Sequence, residues 1–73
     1  MNKQLPERYK SFEDLPNHIK AVIKRCEVEY LESFISYKIP GMGYRSVLDM
    51  LNNEGEEGEY QVLQYIQRYD ADR

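Results

Sequence analysis

From position 17 to 38 apolar residues return at steps of three and four: Ile19, Val22, Ile23, Cys26, Tyr30, Phe34 and Tyr37. That period lines them along one stripe and predicts a single helix over 17–38, roughly 30 Å long at about 1.5 Å per residue. Pro16 is tolerated at its first turn, and Asp14 or Asn17 supplies capping chemistry. A second apolar set in the same segment, Val28, Leu31 and Ile35, lies about half a turn from the first. The helix therefore needs cover on two sides. Later helices of the chain provide one; the N-terminal residues or a second copy of the molecule provide the other.

Ile39-Pro40-Gly41-Met42-Gly43 ends the helix, since proline removes a donor and the glycines favour a tight turn. A second helix is predicted over 44–52, with Tyr44, Val47, Leu48 and Leu51 on its buried face. Residues 52–58 are polar and contain Gly55 and Gly58, which predicts a loop. A third helix is predicted over 59–69, carrying Val62, Leu63, Ile66 and Tyr69 on one face, with Glu59 at its start and Arg68 near its end to suit the helix dipole. In residues 1–16, Leu5, Tyr9, Phe12 and Leu15 permit a short turn packing back on the core, with Ser11 and Asp14 as a cap and Pro16 as a stop. No segment alternates with a period of two. The reading is all-α: a three-helix bundle over 17–73, preceded by an irregular arm over 1–16.

Composition narrows the function classes. A chain of 73 residues lies near the lower limit for folding on one hydrophobic core. Cys26 is the only cysteine and His18 the only histidine, so neither an internal disulfide nor a zinc-type ligand cluster can help. Self-association, as a homodimer, becomes the expected source of extra stability. The free thiol, the lack of a signal-peptide-like start and the absence of a membrane-length apolar run point to a cytoplasmic protein.

Charge is polarised along the chain. Residues 1–45 hold eight Lys/Arg against six Asp/Glu, whereas residues 46–73 hold two against seven. The acidic part suits a cationic partner and the basic part an anionic one.

Candidate catalytic chemistry is sparse. Cys26 falls mid-stripe, where apolar burial makes a thiol inert, and His18 lacks any companion that would make a nucleophile–base pair. Glu54, Glu56, Glu57 and Glu59 crowd one bend without the alternate-position spacing of an EF-hand loop. The reading is accordingly no enzyme, no cofactor and no metal. Seven tyrosines stand out, because a large ring with a polar tip suits half-buried interface positions. On the predicted helices Tyr30, Tyr37, Tyr44 and Tyr69 point inward, leaving Tyr60 and Tyr65 partly outside the buried stripe.

The run Ile39-Pro40-Gly41-Met42-Gly43-Tyr44-Arg45-Ser46-Val47 resembles the hairpin of the helix-hairpin-helix DNA-binding motif: apolar, proline, glycine, apolar, glycine, then a polar stretch opening a helix. The resemblance spans 39–51. It implies that Gly41 and Gly43 let the backbone approach a phosphate, that the amides near Tyr44 and Arg45 donate to it, and that Arg45 adds charge. The acidic balance of the chain ranks this role second, since duplex binding wants a basic face.

In overall style the short, acidic, cysteine-poor chain is similar to small regulatory and inhibitor proteins of bacteriophages. The expected function is a non-enzymatic regulator or inhibitor that binds a larger protein, with Glu54, Glu56, Glu57, Glu59, Tyr60 and Tyr65 as contact residues. In one version Asp49, Asp70 and Asp72 join those glutamates to mimic DNA charge before a DNA-binding protein. The alternative is a sequence-nonspecific DNA-binding module using Gly41, Gly43, Tyr44 and Arg45. No membrane partner is expected.

Overall fold

The predicted 22-position stripe over 17–38 does not form one helix. In a computed structural model that describes residues 8–71, it is two: α1 (Asn17–Arg25) and α2 (Leu31–Ser36). The last turn of α1 tightens, with the Cys26 N–H donating to Ile23 O at 3.0 Å and the Glu27 N–H to Lys24 O at 3.1 Å. Glu27 then takes a left-handed φ of 56° and turns the chain away.

Burial explains the break. On a straight helix Ile35 would stand nearly half a turn from Ile19; after the break Ile19, Ile23 and Ile35 share one core and are fully buried. A left-handed non-glycine residue costs about 1–2 kcal/mol, whereas burying one isoleucine side chain returns about 1.5–3 kcal/mol. Val28 and Leu31 add to the gain by packing against the same core. The second apolar stripe, for which a covering copy of the chain was expected, is thus covered in part from within, Ile35 fully and Val28 and Leu31 about halfway.

Residues 8–16 pack back on the core through a short turn, as their apolar spacing predicts. Phe12 and Leu15 are buried, and a short 3-10 turn (Phe12–Asp14) is held by Asp14, whose carboxylate accepts the Lys10 and Ser11 N–H groups at 3.0 and 3.2 Å. The side chain of Asn52 fastens this segment to the rest of the molecule: its Oδ1 accepts the N–H of Arg8 and of Tyr9 at 3.0 and 2.9 Å, and its Nδ2 donates to Tyr9 O at 2.9 Å. Glu32 on α2 accepts the Phe12 N–H at 3.1 Å. Leu5, also expected to pack, lies outside the described residues.

After a second 3-10 turn (Pro40–Met42), α3 runs Val47–Asn53 and α4 Gly55–Ala71. The predicted start of α3 at 44 is displaced to 47 because Ser46 and Asp49 form a capping box: the Asp49 N–H donates to Ser46 Oγ at 3.0 Å, and the Ser46 N–H to Asp49 Oδ2 at 2.9 Å. The larger correction concerns 52–58, which is not a loop. Gly55, at φ 57°, turns the chain directly out of α3 and opens α4. Gly58 is buried inside that helix, where a Cβ would stand 2.0 Å from Met50 O. The glycine read as a loop residue is what allows α3 and α4 to touch backbone to backbone.

Among the described residues the architecture is therefore four α-helices around a core whose fully buried members include Ile19, Ile23, Ile35, Val47, Met50, Val62 and Ile66. Among the described residues there is no strand beyond one isolated antiparallel bridge, Ile39 with Arg45. None of the helices among the described residues is long and apolar enough to cross a membrane.

Candidate protein-binding surface

Breaking the long helix reverses the predicted orientation of its tyrosines. Tyr30 becomes the N-terminal cap of α2 and Tyr37 its C-terminal cap, and both face solvent, 68% and 55% exposed. Tyr44 and Tyr60 are exposed as well, at 68% and 61%, and Tyr69 at 37%. The inward reading of Tyr30, Tyr37, Tyr44 and Tyr69 is corrected. Tyr44 stays out because the hairpin puts it, with Gly43, in the left-handed region, φ 58° and 67°.

Phe34, one turn after Tyr30, lies between two tyrosines of α4 that are themselves one turn apart. Its ring stacks on Tyr65 with centroids 5.9 Å apart and meets the edge of Tyr69 at 5.2 Å. These rings, with Tyr30, Tyr37 and Glu29, line an open groove of about 400 Å³ between α2 and the C-terminal half of α4. Burial pushes the Tyr65 phenol above its ordinary 10.0, and the neighbouring Tyr37 and Tyr69 phenols push it further in the same direction.

The acidic residues do not join this surface. Glu54 pairs with Arg45, Glu59 with His18 at 3.2 Å, and Asp49 with Lys38 at 2.6 Å. Glu56 and Glu57 are exposed in the first turn of α4, where the helix dipole favours them. By helical geometry Glu56 and Tyr60 stand about half a turn from Tyr65. The six residues anticipated as one contact set therefore divide, with Tyr65 in the aromatic groove and Glu56 and Tyr60 on the opposite side of α4. Asp72 lies outside the described residues.

The Pro-Gly-x-Gly hairpin is closed on itself. The Tyr44 N–H donates to Ile39 O at 2.9 Å and the Arg45 N–H to Met42 O at 3.3 Å, while the Ile39 N–H donates to Arg45 O at 3.2 Å. Arg45 directs its Nε to Met42 O at 2.9 Å, one guanidinium nitrogen to Glu54 and the other to Gln61 Oε1 at 2.9 Å. Both amides and the charge that the resemblance assigns to phosphate are thus engaged within the chain. A carboxylate, that of Asp49, already occupies the cap of the helix that follows. Burial alone would raise the pKa of Asp49, but the Lys38 ammonium and the Ser46 N–H and hydroxyl outweigh it and hold the carboxyl below its ordinary 3.8.

Cys26 is buried, its thiol directed to Val22 O at 3.5 Å, and His18 is exposed. Among the described residues no group of three His, Cys, Asp or Glu side chains is placed to hold a metal ion.

Sequence reasoning missed Glu29, Tyr30, Phe34 and Tyr37 as surface residues. The signal was present in part: Glu27-Val28-Glu29-Tyr30 contains weak helix formers and two like charges in the middle of the stripe. No protein-family model matches the chain, and no curated protein or solved structure matches it at a significant level.

Proposed function

We propose that this chain is a non-catalytic regulatory or inhibitory domain that docks on a larger protein through the aromatic groove between α2 and α4. The observation that carries the reading is the gathering of Tyr30, Phe34, Tyr37, Tyr65 and Tyr69 on one face, three of them substantially exposed. Aromatic rings cost little conformational entropy to immobilise and dominate binding hot spots when a partner excludes water from them. Folding alone would favour burying these rings; Phe34 and Tyr65 pack partly against the core, whereas Tyr30, Tyr37 and Tyr69 stay exposed.

Glu56 and Glu57 give the reading a second component. They form a negative end away from the groove, able to steer a basic partner over long range. Mimicry of DNA charge by the whole acidic set draws less support, because Asp49, Glu54 and Glu59 are paired within the chain. The nucleic-acid alternative draws less still, since its hairpin amides and Arg45 already have partners.

Affinity capture with the immobilised chain tests the proposal when run on two variants side by side. A partner retained by Glu56→Lys/Glu57→Lys but lost from Tyr30→Ala/Tyr37→Ala/Tyr69→Ala supports the groove. Loss from the charge variant alone transfers the function to the acidic turn. A gel shift with duplex DNA at about 50 mM salt, repeated with Arg45→Glu, tests the alternative: binding that the substitution abolishes would revive it.

A further inference from the structure

We infer that the groove between α2 and α4 receives an arginine side chain of the partner, laid against the tyrosine rings and paired with Glu29. This rests on the docking reading above and adds the chemistry of what is docked.

The lining carries the argument. Five aromatic rings and one carboxylate face the groove, and no lysine or arginine lines it. Glu29 makes no hydrogen bond or ion pair with the described residues, unlike Glu13, which pairs with Lys20 at 3.7 Å, and Glu32, which accepts the Phe12 N–H. A neighbouring pocket of about 390 Å³ shares Tyr30 and Glu29 with the groove and adds Glu13 and Glu32. Glu29 and Glu32 thus stand beside the aromatic lining at this end of the molecule.

An aromatic face attracts a cation through its quadrupole, and a carboxylate at the edge completes the recognition by a charge-assisted hydrogen bond. A planar guanidinium can stack on a tyrosine and still reach Glu29, whereas a lysine ammonium is a strongly hydrated point charge that stacks poorly. An acidic or purely apolar segment would leave Glu29 opposed or unpaired.

The test uses the full chain and three synthetic peptides, acetyl-Ala-Leu-Arg-Leu-Ala-amide and its glutamine and glutamate counterparts, followed by NMR of the tyrosine and phenylalanine rings. The arginine peptide is expected to shift the rings of Tyr30, Phe34, Tyr37, Tyr65 and Tyr69 and to bind about fivefold more tightly than the glutamine peptide. Glu29→Gln, a change at an exposed position, should erase that preference. Equal binding of the two peptides, or a preference that survives Glu29→Gln, overturns the inference; ring shifts in both cases would leave the docking reading intact. Ring shifts confined to Tyr60, or none with the arginine peptide, also overturn it. Partner capture that still depends on the tyrosines then shows that the docking reading stands without it.

Discussion

Gly58 shows how one residue type can carry opposite messages. Glycine beside Asn53, Gly55 and a run of glutamates signals a loop, yet Gly58 lies inside α4 because its missing Cβ is where the α3 backbone passes. Gly58→Ala must push Met50 O aside and is expected to cost about 3 kcal/mol, a loss that urea denaturation would register as a lower midpoint at unchanged slope. Gly55→Ala meets no neighbour and only forces a left-handed alanine, so about 1 kcal/mol is expected there. Asp49 supplies a pH signature. Its carboxyl titrates lower in the folded chain than its ordinary 3.8, so the unfolded state binds the proton first and stability falls as pH drops below that value. Asp49→Ala should lower stability at neutral pH and flatten this acid limb; an unchanged limb would show that other carboxyls govern it.

At the scale of elements, the spacing of apolar residues gave helix type and most buried positions correctly, Val47, Leu51, Val62 and Ile66 among them. It failed where two stripes on one segment had to reach a single core. Periodicity alone is blind to a break that preserves both stripes, and the price of the break is hidden at Glu27, a residue with no turn signature. Glu27→Gly should relieve the left-handed strain and raise stability by about 1 kcal/mol, read as a higher melting temperature with unchanged helical circular dichroism. The link between residues 8–16 and α3 was equally invisible, since it depends on one side chain 43 positions from Tyr9. Asn52→Ala removes all three of its hydrogen bonds to that segment, and about 1–2 kcal/mol with faster amide exchange at Tyr9 is expected.

For the whole molecule, legibility followed the kind of information required. Helical class and the burial of Cys26 could be read from local pattern. Which tyrosines face outward could not, because exposure depends on how α2 rotates after the break. The candidate surface was therefore anticipated in residue type but misplaced: Tyr65 alone of the expected contact set lines the groove. Ile35 is fully buried while Val28 and Leu31 are half-buried against the core, which leaves less of the second stripe for another copy to cover; sedimentation at micromolar concentration should return the mass of one chain, and a two-chain mass would restore the dimer.

Tyrosine nitration, compared site by site in the free chain and in its complex with the captured partner, bears most directly on the docking surface. Tyr30, Tyr37 and Tyr69 should lose reactivity on binding while Tyr60, also exposed when free, keeps it. Protection of Tyr60 with Tyr37 left reactive would place the partner on the other side of α4 and contradict the account.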